Sequence, residues 1–267
     1  MKEPLAARNA PAQLSATIIA LNEEERIGDC IASLSFCAEV LVVDGGSTDR
    51  TREIAAAAGA RVLQRPFDDF ARQHEFARTQ AACAWILSID ADERASPELA
   101  RAAIDRVARA SEAAFSLPFR NHFRGVWLRR GGFWPDRHVR LFRRDACAYD
   151  LTRPVHEKLL VRGATGALDA PVLHYTWGSL AQLLAKTERY AEAAAQALHA
   201  QGRRASSVDV VAKPLWRFFR AWVLRLGFLD GAAGAAMAMA RAYEAYARAA
   251  RLWELGRFSE AAKDRLR

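Results

Sequence analysis

The first half of the chain alternates short apolar runs with amphipathic stretches, and each run ends in polar or acidic residues. Segments 16–21, 39–43, 61–64 and 84–89 read as buried strands. Segments 25–34 and 70–82 between them carry helical spacing. Ser47 or Thr48 is predicted to cap a further helix that Gly59 closes, and Ser96-Pro97-Glu98 opens another with Ser at the cap and Pro in the first turn. This β-α-β-α rhythm predicts an α/β fold, a mostly parallel sheet with helices on both faces. In such sheets ligands bind at the carboxyl ends of the strands. With 267 residues, 51% of them hydrophobic, the chain can bury a real core and is too apolar to be disordered.

The remainder changes character. Segment 115–172 is richer in Arg, Gly, Pro and aromatic residues, and reads as strands and loops that finish the sheet and wall a pocket. From Ser179 onward the pattern is helical, with Ser179 and Gln182 spaced as a capping box and Leu180, Leu183, Leu184 and Tyr190 on one face. The expected organisation is a disordered tail over 1–14, a catalytic α/β domain over 15–178 and a helical region over 179–267. The formal charge of +8 is uneven: residues 201–267 hold 13 Lys+Arg against 6 Asp+Glu, while residues 1–200 hold 26 against 25. A near-neutral first part argues against a nucleic-acid partner. Leu215, Phe218, Phe219, Trp222, Val223 and Leu226 share one helical face, with Lys213, Arg217 and Arg220 on another. Such a basic amphipathic helix reads as a membrane-interface element, or as a helix packed on the catalytic domain or an oligomer contact. The apolar stretch 231–240 is too short to span a bilayer, and residues 1–11 have no signal-peptide core. Four scattered cysteines, Cys30, Cys37, Cys83 and Cys147, favour neither a disulfide framework nor a zinc site and fit a cytoplasmic chain.

Three strand ends carry the chemistry. Asp90-Ala91-Asp92-Glu93 sets carboxylates one residue apart, which repel unless they share a cation. A divalent metal held with substrate phosphate oxygens resolves that conflict. Asp44-Gly45-Gly46-Ser47-Thr48-Asp49 puts a carboxylate before a glycine turn, suited to hydrogen bonds from a base or ribose, and it is not a dinucleotide fingerprint. Asn22-Glu23-Glu24 follows the first strand. Taken singly, each has a plainer reading as turn chemistry, a solvated loop or acidic residues at a helix start.

Together the three motifs, with their spacing, resemble the inverting family 2 glycosyltransferases of the GT-A fold. Pro135-Asp136-Arg137-His138-Val139-Arg140-Leu141-Phe142-Arg143 and Val155-His156-Glu157 are similar to that family's acceptor-side half. Lys213-Pro214-Leu215-Trp216-Arg217-Phe218-Phe219 and Gly227-Phe228-Leu229-Asp230-Gly231 narrow the likeness to lipopolysaccharide-core β-1,4-glucosyltransferases of WaaE type. The resemblance covers about 15–255. It implies a Rossmann-like GT-A domain and inverting, metal-assisted transfer from a nucleotide diphosphate sugar, UDP-glucose first, onto a lipopolysaccharide inner-core or related anionic glycolipid acceptor. Asn22, Glu23 and Asp44 would line the nucleoside pocket, Asp90 and Asp92 would hold the metal and the diphosphate, and Ser47 and Ala91 would also bind the donor. Asp90, Asp92 and His174 would hold Mg²⁺ or Mn²⁺, with His156 competing for the histidine place; a His174 bonded to a backbone carbonyl is the alternative. Glu157 is the first candidate for general base and Asp136 the second. The chain departs from the family at Gly45, where many relatives carry a second acid, and at Arg72-Gln73-His74-Glu75. Among the eight arginines of 120–144 two or three are expected to meet anionic ligands. The expected place of work is peripheral, on the cytoplasmic face of the inner membrane; the oligomeric state is open. A nucleotidyltransferase would want a basic glycine-rich phosphate loop where Asn22-Glu23-Glu24 stands. A basic membrane-binding scaffold would leave the acidic strand ends unexplained.

Overall fold

The computed structural model describes residues 12–152 and 158–264. Strand β1 (Ala12–Ala20) is followed by α1 (Ile27–Ala32), β2 (Cys37–Asp44), α2 (Thr51–Ala57), β3 (Arg61–Gln64), α3 (Phe70–Gln80) and β4 (Trp85–Ser88). Next come β5 (Glu93–Ala95), α4 (Pro97–Arg109), β6 (Ala114–Phe123), β7 (Val126–Trp127) and β8 (Asp136–Arg143). Strands β9 (Cys147–Tyr149), β10 (Leu159–Val161), β11 (Thr165–Ala167) and β12 (Val172–Trp177) complete the β structure.

The large sheet runs β3-β2-β1-β4-β8-β6-β12-β5. The first four strands pair in parallel, as the sequence rhythm predicts, and β8 then turns the sheet antiparallel against both β4 and β6. Segment 115–172 does finish the sheet, and β11 adds a parallel pairing on β6. Apolar side chains of β1, α1, β4, α4 and β6 form the main core, with Leu14, Ile18, Leu87 and Leu99 wholly buried. The burial of Leu14 draws β1 three residues into the segment expected as a tail; the rest of that tail, 1–11, lies outside the described residues.

The structure divides into two units, one of 12–119 and 136–174, the other of 120–135 and 175–264. The excursion 120–135 thus groups with the helical region, a placement the sequence boundary at 178/179 did not include. The second unit contains α5 (Leu180–Ala200), α6 (Ser207–Phe219), a π-helical turn (Arg220–Leu224), a 3-10 turn (Gly227–Asp230) and α7 (Gly231–Asp264). Phe123, Leu128, Phe133, Leu183, Met237 and Ala240 form its core. No single described helix is long and apolar enough to cross a membrane; 207–224 and 227–257, bent by 72°, reach that length and composition only as a pair.

Candidate active site

The site grows from three loops at neighbouring strand ends. Register fixes their level: Ala20 pairs with Asp44 between β1 and β2, and Thr17 pairs with Ser88 between β1 and β4. Backbone and side chain then knit the first two loops together. The Asn22 N–H donates to Ser47 Oγ at 2.9 Å, the Thr48 N–H to Asn22 Oδ1 at 2.8 Å, and the Glu23 N–H to Thr51 Oγ1 at 2.8 Å. Asn22 adopts φ 56°, a left-handed conformation that asparagine tolerates better than most residues. Ser47 and Thr48 are therefore loop ties rather than helix caps: α2 begins after Arg50 with no side-chain cap bond.

Asp44 is fully buried, and its Oδ2 accepts the N–H groups of Gly46 and Ser47, both at 3.0 Å. Its Oδ1 is buried with no hydrogen-bond partner. A buried oxygen left so is costly unless a ligand satisfies it. At Gly45, where the sequence departs from the family, a Cβ would meet Phe67 Cβ at 3.2 Å and the Ala20 carbonyl at 3.4 Å, a tight fit.

The third loop is organised by an arginine. Arg140, on β8, grips Asp90 through Nη2 to Oδ2 at 2.8 Å and Nη1 to Oδ1 at 3.3 Å, and it reaches Glu93 Oε1 at 3.0 Å. Glu93 Oε2 accepts the Asp90 N–H at 2.9 Å. Arg94 donates to the carbonyls of Ala91 and Glu93 at 3.0 and 2.8 Å and to that of Arg26 at 2.9 Å, joining this loop to the entry of α1. Burial favours protonation of both acids, yet the Arg140 charge and its hydrogen bonds outweigh this at Asp90 and hold that carboxyl well below its usual range. At Glu93 burial dominates, and the adjacent Asp90 charge adds to it, so Glu93 is pushed up despite Arg140.

Asp92 faces a different partner. Its Oδ2 lies 3.5 Å from His174 Nε2, because β12 pairs antiparallel with β5 and sets His174 opposite Glu93. Burial lowers the His174 pKa, but the Asp92 hydrogen bond and the surrounding carboxylates raise it above the ordinary value. Donor atoms of Asp92, Glu93 and His174 lie within 4.8 Å of one another. Glu23 feels the same field: burial raises its pKa, Arg26 opposes, and the Asp92 charge raises it further.

Eight of the sequence-derived residues lie on these loops and strand ends. They are Asn22, Glu23, Asp44, Ser47, Asp90, Ala91, Asp92 and His174; Arg140 engages both Asp90 and Glu93, and the donor atoms that lie together are those of Asp92, Glu93 and His174. Arg140 and Glu93 are the residues whose parts the sequence did not disclose. Asp136, at the start of β8, has Oδ1 3.0 Å from His138 Nε2; His138 meets the Phe119 ring edge-on at 5.0 Å, and His174 meets the same ring at 6.0 Å. Glu157 and His156 lie outside the described residues. His74, from the segment that departs from the family, is buried and stacks on Tyr149 at 5.1 Å, while Glu75 pairs with Arg78.

Acid-lined loops at the carboxyl ends of parallel strands, on a sheet that turns antiparallel at β8, are the GT-A plan, and the protein is a glycosyltransferase. The sequence model described as "Glycosyl transferase family 2" matches residues 15–156, more than half of the chain. The lipopolysaccharide core biosynthesis glycosyltransferase LpsC of Rhizobium meliloti is 31% identical over 90% of this chain and 92% of its own length. An uncharacterized glycosyltransferase of Rickettsia bellii is 30% identical over 91% of this chain and 87% of its own. A solved glucosyl-3-phosphoglycerate synthase from Mycobacterium tuberculosis, in complex with Mn²⁺, UDP and glucosyl-3-phosphoglycerate, overlays with a TM-score of 0.37 at 24% identity, over 43% of this chain and 46% of that one. The chain belongs to glycosyl transferase family 2.

Proposed function

We propose that the protein transfers a hexose, with inversion, from a nucleotide diphosphate donor of the UDP-glucose type onto a lipopolysaccharide inner-core saccharide or a related anionic glycolipid. The observation that carries this is the Asp92–His174 pair set beside an Asp90 clamped by Arg140, at strand ends whose first two loops are tied through Asn22 and Ser47. The LpsC relative supports the acceptor half of the proposal.

Carboxylate oxygen and imidazole nitrogen within one small cluster suit Mg²⁺ or Mn²⁺. Asp92 and His174 would hold the ion; Glu93 is already spent on Arg140 and the Asp90 N–H. Held by Asp92 and His174, a divalent cation would supply charge neutralisation at the leaving diphosphate, worth several kcal/mol. The chain's own residues do the rest. Asp44 Oδ1, buried and unpaired, accepts an N–H or O–H of the nucleoside. Arg140 keeps Asp90 ionised and fixes the loop from which Asp92 projects. A carboxylate takes the proton of the acceptor hydroxyl as that oxygen attacks from the face opposite the diphosphate, a contribution of about 10²–10⁴-fold. Glu157 remains the first candidate for this base. Asp136 is the second, supported by its His138 partner and by the Phe119 ring shared with His174.

The proposed place of work is the cytoplasmic face of an inner membrane, with peripheral attachment. The apolar face of α6 and the following turn supports this: Leu215, Phe219 and Val223 are 66%, 44% and 41% exposed, and Lys213, Arg217 and Arg220 stand close by in the same segment. Such a face suits an anionic leaflet.

The test is a panel of nucleotide sugars assayed for hydrolysis and thermal protection with and without Mg²⁺ or Mn²⁺. One UDP-sugar should protect and be hydrolysed only with metal, and Asp92→Ala should lose both while keeping its far-UV circular dichroism. Full hydrolysis by Asp92→Ala would remove the metal site from the mechanism.

A further inference from the structure

The second unit holds a basic cavity that the transfer chemistry does not use. It measures about 410 Å³ and is lined by Arg129, Arg130, Gly132, Trp134, Pro135 and Arg225. Its loop is well fixed. The Arg130 N–H donates to Asp230 Oδ2 at 2.7 Å, the Gly131 N–H to the Arg225 carbonyl at 2.9 Å, and Arg241 Nη1 to the Gly131 carbonyl at 3.0 Å. Gly132 has φ +83°, and a Cβ there would fall 2.0 Å from Arg225 Nη1, so the guanidinium rests against bare backbone that no other residue would leave open. Arg129 lies 4.4 Å over the Trp127 ring, which meets Trp134 edge-on at 5.4 Å. The Trp127 indole N–H is buried without an acceptor.

Among the described residues, Arg129, Arg130 and Arg225 have no carboxylate partner. Asp230, in the adjoining turn, spends Oδ2 on the backbone of this loop. Three guanidinium groups around one cavity repel one another until an anion enters, and planar forks match phosphate oxygens. Three charges suit a phosphate dianion better than a single carboxylate. The neighbourhood is also greasy. Arg225 stands in the chain between Leu224 and Leu226, and Phe228 and Leu229 follow, all between 41% and 58% exposed.

We infer that this cavity is a subsite for the phosphate group of an amphiphile, with the exposed side chains of 224–229 meeting its acyl part. The inference rests on the glycolipid-acceptor reading above, which calls for an anionic amphiphile. Free phosphate shares the chemistry of the head group but not of the tail.

Flotation of the full chain with phosphatidylcholine vesicles, plain or doped with phosphatidic acid, tests it without any donor sugar. R129Q/R225Q should weaken binding to the doped vesicles about tenfold or more. R189Q/R203Q removes the same charge elsewhere in the helical unit and should weaken binding less than about twofold. Equal losses in the two double variants would mean diffuse attraction and overturn the subsite. Should R129Q/R225Q fail to fold, short-chain phosphatidic acid below its micelle concentration serves on the unaltered protein. It should raise the Tm, and inorganic phosphate at the same concentration should not; equal protection by the two would overturn the lipid assignment. Asp92→Ala should bind doped vesicles like the unaltered protein, so a failure on the donor side and a failure here are read separately.

Discussion

Arg140 answers two acids at once, and its removal is the most informative single change at the donor loops. Arg140→Met would leave Asp90 and the 1% exposed Glu93 without their cation. Breaking a buried pair on one side costs about 3 kcal/mol or more, so a urea melt should show a loss of that order, accompanied by loss of donor binding. Glu39 gives a cleaner pH signature. Burial raises its pKa, but Ser15 Oγ at 2.5 Å, the Ala82 N–H at 2.7 Å and Arg61 at 2.8 Å together bring it below the ordinary 4.5. A carboxylate depressed in the folded state stabilises above its unfolded value, and that contribution fades as pH falls through the folded one. Glu39→Gln should therefore cost about 1–2 kcal/mol at pH 7, and its denaturation midpoint should converge on that of the unaltered protein in acid. At this scale the acids themselves were legible, because Asp90 and Asp92 end an apolar run. Their division of labour was not: which carboxylate an arginine 50 residues downstream will take is decided by β8 pairing against β4.

Elements were legible where one local signal decides them. Arg61–Gln64 and the Ser96 cap, whose Oγ accepts the Leu99 N–H at 3.1 Å, stand where periodicity and cap chemistry put them. The cap expected at Ser47 or Thr48 does not form, because both side chains are taken by Asn22 across the β1–β2 gap. The single helix expected through 215–226 is also broken. It passes into a π-helical turn at Arg220 and ends before Leu226, which sits at φ 55°. Its apolar face is nevertheless turned to solvent at Leu215, Phe219 and Val223. Replacing these three with Ser should leave the thermal midpoint nearly unchanged, since exposed side chains contribute little to the core, while lowering co-sedimentation with anionic vesicles severalfold. A drop in stability with unchanged vesicle binding would assign the face to packing instead.

For the molecule as a whole, the sequence conveyed an α/β half followed by a helical half, and the change of composition at 115 marked the start of the strands that finish the sheet. It did not convey that 120–135 belongs with the helices, since a short loop rich in Arg, Gly and Trp has no periodicity to declare its partners. Seven of the eight arginines of 120–144 sort accordingly. Arg137, Arg140, Arg143 and Arg144 are spent on carboxylates and carbonyls of the sheet unit, whereas Arg120 and Arg129 stack on Trp127, and Arg129 and Arg130 line the basic cavity. The central claim is that Asp92 and His174 hold a cation together with a nucleotide diphosphate sugar. Calorimetric titration of Mn²⁺ into the protein, with and without UDP-glucose, measures this directly. Binding should tighten when the sugar nucleotide is present and should vanish in both Asp92→Ala and His174→Ala; Mn²⁺ binding unchanged in those two variants would contradict it.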